Sequence, residues 1–102
     1  MPYNKFSNIE EKVQTKHPDS KKRGVNISKE KYDSIRSLII ECLRKKELTY
    51  TELSKCVGEI LKGRLKGSIE WYVEVVKLDL EARRIIERMP NTKPQLYRLI
   101  AN

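Results

Sequence analysis

Apolar residues first recur at helical spacing between residues 29 and 46. They are Tyr32, Ile35, Leu38, Ile39, Cys42 and Leu43. Because successive members lie three or four positions apart or adjacent, they share one face and predict an amphipathic helix. Ser28 stands at the N-cap position, and Glu30 in the first turn suits the positive end of the helix dipole. The pattern therefore predicts a first helix over about 29–46, followed by a short extended link at 48–50.

A second helical stripe follows this link. It consists of Leu53, Val57, Ile60 and Leu61. Thr49 and Glu52 have the spacing of a capping box, in which each side chain bonds the other residue's backbone N–H. Gly63 is a natural stop, because glycine readily adopts the left-handed conformation that ends many helices. The stretch "GRLKG" at 63–67 then predicts a basic turn.

The third predicted helix begins at its cap, Ser68, runs to about Arg83, and has two apolar faces. An advance of 100° per residue places the core stripe on Ile69, Tyr72, Val73, Val76 and Leu80. A second stripe, on nearly the opposite side, consists of Trp71, Val75, Leu78 and Ala82. Between the stripes lies a mainly acidic edge made of Glu70, Glu74, Lys77 and Glu81.

The hydrophobic pattern alternates after the third helix. Apolar and polar residues alternate over 85–89, beside β-branched isoleucines, and predict a strand. The stretch "PNTKP" predicts a turn, and "QLYRLI" predicts the returning strand of a hairpin. We call this hairpin the wing. The order of elements predicts a mainly α domain with a small β-hairpin, a winged helix-turn-helix of three helices plus a two-stranded wing, over residues 28–102. The alternative is a three-helix bundle with an irregular tail; a hairpin packed beside the third helix favours the wing, because it completes the core.

Residues 1–27 show only weak hydrophobic periodicity and contain Pro18 and Gly24. This segment is therefore predicted to be a basic N-terminal arm or loop, with a short helix around 9–13. The chain has 102 residues and a net charge of +8. Eight basic and four acidic residues lie between Met1 and Lys31, so this segment supplies +4, half of the total. Such a length predicts one domain, and such a charge favours an anionic partner.

Nucleic acid, DNA or RNA, is the partner that this charge pattern favours. The third helix does not fit the role of a DNA-recognition helix, because residues 68–84 carry four acidic and three basic residues and would repel phosphate. The arm, the basic turn and the wing are better placed to bind. The candidate nucleic-acid-binding residues are Lys21, Lys22, Arg23, Lys62, Arg64, Lys66, Arg88, Lys93 and Arg98.

The second stripe of the third helix leaves three alternatives open. Trp71 is covered by the wing, the first helix or the arm, as large aromatic residues often are. Alternatively, Trp71, Val75, Leu78 and Ala82 form a homodimer or protein-partner surface. In the third alternative, Trp71 or Tyr72 stacks on bases.

The remaining polar chemistry predicts no enzyme, cofactor or metal site. His17 is the only histidine and lies in a polar loop, and the pairs Asp79/Glu81 and Glu70/Glu74 are expected to be solvated helix edges. Cys42 and Cys56 are expected to be reduced and buried, with a disulfide only if their two helices bring them together. No apolar run approaches a membrane span and no secretory signal is visible, so we expect no membrane partner and a cytoplasmic location.

Two stretches resemble a known group of proteins. "HPDSKKRGVN…KYDSIRSLII" and "GSIEWYVEVVKLDLEARRIIERMPNTKPQLYRL" are similar to small bacterial proteins of unknown function that are predicted to be winged-helix domains. The resemblance covers about residues 16–100 and is strongest in "EWYVEVVKLDLEARRIIER". More generally, "LDLEARRIIERM…QLYRL" looks like the third helix and wing of bacterial winged-helix regulators. The resemblance implies the fold and a scaffold role for His17–Pro18 and Trp71–Tyr72, but no transferable activity or ligand.

Overall fold

The computed structural model describes residues 11–65 and 67–100. This part of the chain forms three helices and two small antiparallel sheets. In chain order the elements are β1 (Lys12–Gln14), β2 (Asn26–Ser28), α1 (Lys29–Lys45), β3 (Leu48–Thr49), α2 (Tyr50–Leu61), α3 (Ile69–Ala82), β4 (Ile86–Arg88) and β5 (Leu96–Leu99). The predicted order of three helices and a C-terminal hairpin is confirmed, and the two N-terminal strands are additional.

Each helix begins at its predicted cap, at Ser28, Thr49 and Ser68. Each cap side chain accepts a hydrogen bond from a backbone N–H three residues later, which satisfies a donor that the helix itself cannot pair. Thr49 and Glu52 form the complete capping box. Gly63, with a φ of +81°, lies just beyond the end of α2, as predicted.

The wing belongs to a three-stranded sheet rather than a two-stranded one. β5 is the central strand, with β4 on one side and β3 on the other. Leu48 of β3 pairs with Tyr97, and Ile86 of β4 pairs with Leu99. The extended link before α2 therefore supplies a third strand, and it pairs with an edge of β5 that a two-stranded hairpin would leave open.

The N-terminal segment forms a second hairpin. In it, β1 pairs with β2, with Val13 opposite Ile27. Thr15 extends the pairing, because its backbone N–H donates to the Val25 carbonyl and its hydroxyl accepts from the Val25 N–H, both at 2.8 Å. Gly24 packs so closely against Thr15 that a Cβ there would overlap the Thr15 carbonyl oxygen and hydroxyl. Residues 16–24 close this hairpin, and we call them the β1–β2 loop.

The predicted short helix around residues 9–13 is wrong where the structure describes it. Lys12 and Val13 lie in β1, while Ile9 lies outside the described residues. The short stretch has both a helical and an extended interpretation, and pairing with β2 selects the extended one. The basic arm thus consists, from residue 12 onward, of a hairpin with a basic loop.

The core lies between the three helices and the inner face of the three-stranded sheet. Its most deeply buried apolar residues are Ile35, Ile39, Leu53, Val57, Val73, Val76, Leu80 and Ile86. At one side of the core, Cys42 of α1 and Cys56 of α2 form a disulfide, with their Cα atoms 6.4 Å apart. The expectation of two reduced thiols is therefore wrong. The helical pattern places each cysteine near a buried stripe, but it does not show that the two stripes meet there.

Candidate functional site

The third helix, α3, lies between the two hairpins. Its core stripe packs on α1 and α2, one flank faces the three-stranded sheet, and the other flank meets the β1–β2 hairpin. Each flank contains one buried charged residue. These residues are Lys77 on the sheet side and Asp79 on the side of the β1–β2 hairpin.

Asp79 is fully buried and joins three parts of the chain. One carboxylate oxygen accepts a hydrogen bond from the backbone N–H of Lys16 at 2.8 Å. The other accepts from Tyr32 Oη and from Arg83 Nε, the latter at 2.8 Å. Burial, together with the hydrogen bond to Asp79, raises the pKa of Tyr32 to about 12. The hydrogen bond to Asp79 also raises the pKa of Arg83. The β1–β2 loop, α1 and the end of α3 therefore meet at a single carboxylate.

Lys77 neutralises the acidic edge of α3 against the sheet. Its ammonium group lies 3.0 Å from a Glu81 oxygen and 3.5 Å from a Glu74 oxygen. It also sits 4.6 Å from the centre of the Tyr97 ring, a cation–π contact with β5. The other Glu81 oxygen accepts from Arg88 Nε at 2.8 Å, and this hydrogen bond raises the pKa of Arg88. Much of the edge that would repel phosphate is thus compensated within the protein.

The prediction of solvated carboxylate pairs is wrong for one pair. Asp79 is fully buried and the Glu81 side chain is 8% exposed, whereas Glu70 is exposed and Glu74 is partly exposed. One signal could have identified the exception, because the 100° advance places position 79 beside Tyr72, on the core side of the helix. Because Asp79 is polar, a search for apolar residues at helical spacing does not identify its position as buried.

The second stripe of α3 is covered at one end and open at the other. Val75 and Leu78 are partly buried and line a cavity of about 70 Å³ beneath the β1–β2 loop, and Ala82 at the end of the helix lines an open pocket with the same loop. Trp71 at the other end is 45% exposed and packs edge to face on Tyr72, with ring centres 5.0 Å apart. The β1–β2 hairpin and its loop therefore cover the C-terminal half of the stripe and leave Trp71 accessible.

The predicted basic residues lie in separate segments near the two ends of α3. Lys21, Lys22 and Arg23 are exposed in the β1–β2 loop, beside the C-terminal end of the helix. Lys62 is exposed in the turn that precedes the N-terminal end. The helix itself spans about 21 Å at ~1.5 Å per residue. Lys66 lies outside the described residues.

Three of the predicted binding arginines make contacts within the protein. Arg64 folds back on the C-terminal end of α2, where its guanidinium donates to the carbonyls of residues 60 and 61 at 2.8 and 3.0 Å. Arg98 bonds Glu87 at 2.7 Å across the wing, and Arg88 bonds the acidic edge of α3. Lys93 is exposed in the wing loop. Within the described ranges, no carboxylate forms an ion pair with the side chains of Lys93, Lys62 or the four basic residues of the β1–β2 loop.

A groove between α1 and the end of α2 exposes further apolar surface. It has a volume of about 810 Å³, and its apolar lining is Leu38, Ile60, Leu61 and Leu65. Ile60 is 38% exposed.

In the described part of the chain, no helix is both long and apolar enough to cross a membrane. Among the same residues, no group of three or more acidic, histidine or cysteine side chains is placed to hold a metal ion.

Comparison with known proteins gives one match. No curated protein matches the chain, and no solved structure matches it. One family's sequence model matches residues 12–97, which run from the first residue of β1 to Tyr97 in β5 and include the β1–β2 hairpin and all three helices. The chain therefore belongs to the family of unknown function DUF6958.

Proposed function

We propose that the chain is a regulatory nucleic-acid-binding protein of winged helix-turn-helix architecture, with no catalytic activity of its own. The order of three helices and a hairpin supports this architecture, as do the strand order β3-β5-β4 and the packing of β4 against α3. In this proposal the protein binds nucleic acid through the loops that surround α3. The helix α3 itself serves mainly as a packing surface for the two hairpins.

The proposal rests on one observation: the charged side chains on the flank of α3 form ion pairs with one another, whereas no ion pair is found for the basic side chains of the β1–β2 loop among the described residues. Lys77 and Arg88 compensate the carboxylates on the flank of α3, so that flank offers little positive charge to phosphate. The β1–β2 loop instead has four basic residues, at 16 and 21–23, against one acidic residue, Asp19, a net charge of +3. Because counterion release from phosphates drives binding, the loop is the more favourable contact.

The geometry suggests a division of roles among the basic segments. The β1–β2 loop is suited to follow a phosphate backbone or enter a minor groove. The α2–α3 turn places Lys62 near the N-terminal end of α3, where free backbone N–H groups favour anions. Lys93 in the wing loop adds a third contact.

The test is binding of fluorescent duplex DNA, single-stranded DNA and RNA of matched sequence at two salt concentrations. We expect micromolar or tighter affinity at about 50 mM salt and a loss of affinity as salt rises to about 200 mM. The triple variant Lys21/Lys22/Arg23→Gln should weaken binding at least tenfold. Its matched control is Arg44/Lys45/Lys46→Gln, which removes the same charge from exposed positions at the end of α1. No binding of any of the three nucleic acids at about 50 mM salt would end the proposal.

Exposure of Trp71 favours a second candidate function, a protein-interaction or homodimerisation module without nucleic-acid binding. An accessible tryptophan near the partly buried Val75 and Leu78 resembles the aromatic centre of many interfaces. Sedimentation of the wild-type chain and of Trp71→Ala tests the homodimer. A wild-type monomer at high concentration, with tryptophan emission that does not change on dilution, would exclude the homodimer.

A further inference from the structure

We infer that the β1–β2 loop forms a phosphate-binding pocket against the C-terminal end of α3. An open pocket of about 570 Å³ lies between the loop and Ala82. The residues that could bind an anion there are Lys16, His17, Ser20, Lys22 and Arg23. This inference goes beyond the proposed function, because a pocket of this size also accepts a small phosphorylated molecule that is not part of a nucleic acid.

The charge of the pocket lining selects an anion. Three basic residues line the pocket, and among the described residues no carboxylate does. The two carboxylates that bond the backbone of the loop already have donors, because Asp19 accepts from the backbone N–H of Lys21 at 2.9 Å and Asp79 is enclosed by its own partners. Arginine and lysine together suit a phosphate group, because the guanidinium fork binds two oxygens and the ammonium adds a point charge.

The frame of the pocket is formed before any ligand arrives. At its base, Thr15 and Val25 are joined by three hydrogen bonds of 2.8 to 2.9 Å. At its inner wall, the backbone N–H of Lys16 is held by the buried carboxylate of α3. At its tip, Asp19 closes the turn by accepting from residues 21 and 22. A loop fixed at three points loses less conformational entropy on binding than a free basic tail does.

His17 contributes a donor with a defined direction. Its Nδ1 accepts a hydrogen bond from the backbone N–H of Asp19 at 3.0 Å. In the neutral imidazole the proton is therefore carried by Nε2, which is a donor. The pocket lining thus includes the Ser20 hydroxyl, the His17 imidazole and three cationic side chains, which are donor types that suit the oxygens of a phosphate monoester.

The first experiment follows backbone amide NMR signals during titration with inorganic phosphate, against chloride at equal ionic strength. We expect the changes to concentrate at residues 15–24 and at Ala82. Arg23→Gln should weaken phosphate binding at least tenfold, since it removes a charge-assisted hydrogen bond. Arg44→Gln is the matched control, because it removes the same charge from an exposed position at the end of α1 that does not line the pocket, and it should change the affinity less than threefold. Equal losses in the two variants, or signal changes spread over the surface, would overturn the inference.

The second experiment separates this inference from the proposed function and identifies the source of the phosphate. The same chain is titrated with short oligonucleotides that carry either a 5′-phosphate or a 5′-hydroxyl, and with a sugar phosphate. Phosphate binding in the pocket without any oligonucleotide binding supports the pocket and ends the proposed function. Oligonucleotide binding that is unchanged in Arg23→Gln, with no response to inorganic phosphate, overturns the pocket and leaves the proposed function standing. Absence of both kinds of binding overturns both.

Discussion

Replacement of Asp79 by alanine should detach the β1–β2 hairpin and destabilise the whole domain. The change removes the acceptor for the Lys16 N–H, the Tyr32 hydroxyl and the Arg83 guanidinium. Breaking a buried ionic and hydrogen-bonded group in this way costs about 3–5 kcal/mol. We expect the lower end of this range, because the Arg83 side chain is 34% exposed and can turn to water. A loss of about 3 kcal/mol is a large part of the ~5–15 kcal/mol that stabilises a typical domain.

The assays are urea unfolding and thermal unfolding, both followed by circular dichroism, combined with amide hydrogen exchange. For a domain of about this size, a loss of ~3 kcal/mol lowers the melting temperature by about 12 °C or more. The amides of Thr15 and Val25 should lose protection before those of α1 and α2, because the hairpin is held to the body by the lost contacts. Asp33→Ala is the matched control. Its carboxylate is 54% exposed in a single surface ion pair, so its removal should cost less than about 1 kcal/mol.

A smaller change distinguishes the buried carboxylate from simple loss of volume. Tyr32→Phe removes one hydrogen bond to Asp79 and keeps the ring, so it should cost about 1–2 kcal/mol. A double-mutant cycle with Asp79→Asn should then show coupling between the two positions. If Asp79→Ala unfolds within about 1 kcal/mol of the wild-type chain and the Val25 amide stays protected, the carboxylate is not what holds the hairpin.

Two further predictions concern the core. Reduction of the Cys42–Cys56 bond should lower the free energy of unfolding by about 3 kcal/mol, since the bond closes a loop across a sequence separation of 14; guanidinium unfolding with and without a thiol reductant measures this, and identical midpoints would contradict it. Tyr32 should ionise late, with a pKa of about 12 against 10.0 for a free phenol. Because the folded pKa is raised, its contribution to stability is complete below pH 10 and is lost as the pH rises toward 12; tyrosinate absorbance should show one late phenol, absent in Tyr32→Phe.

Local signals explain which parts of the candidate site could be predicted. The spacing of Thr49 and Glu52, the glycine at 63 and the cap at 68 fix where α2 ends and α3 begins, so the basic turn between them was correctly placed. The partners of Arg64, Arg88 and the other charged side chains were not predictable, because a charge pattern does not show which charges fold back on the protein. The second stripe of α3 was correctly identified as apolar, but its division into a covered and an open end depends on where the β1–β2 loop packs.

The sequence by itself determined the helices, their caps, the hairpin at the C-terminal end and the excess of positive charge in the loops. These features arise from residues close together in the chain, which have spacing and turn preferences of their own. Only the tertiary structure decided that Asp79 and Lys77 are buried, that Cys42 meets Cys56, and that β3 joins the wing. Each of these depends on contacts between distant segments, because burial of a charge is favourable only once its partners have been brought to it.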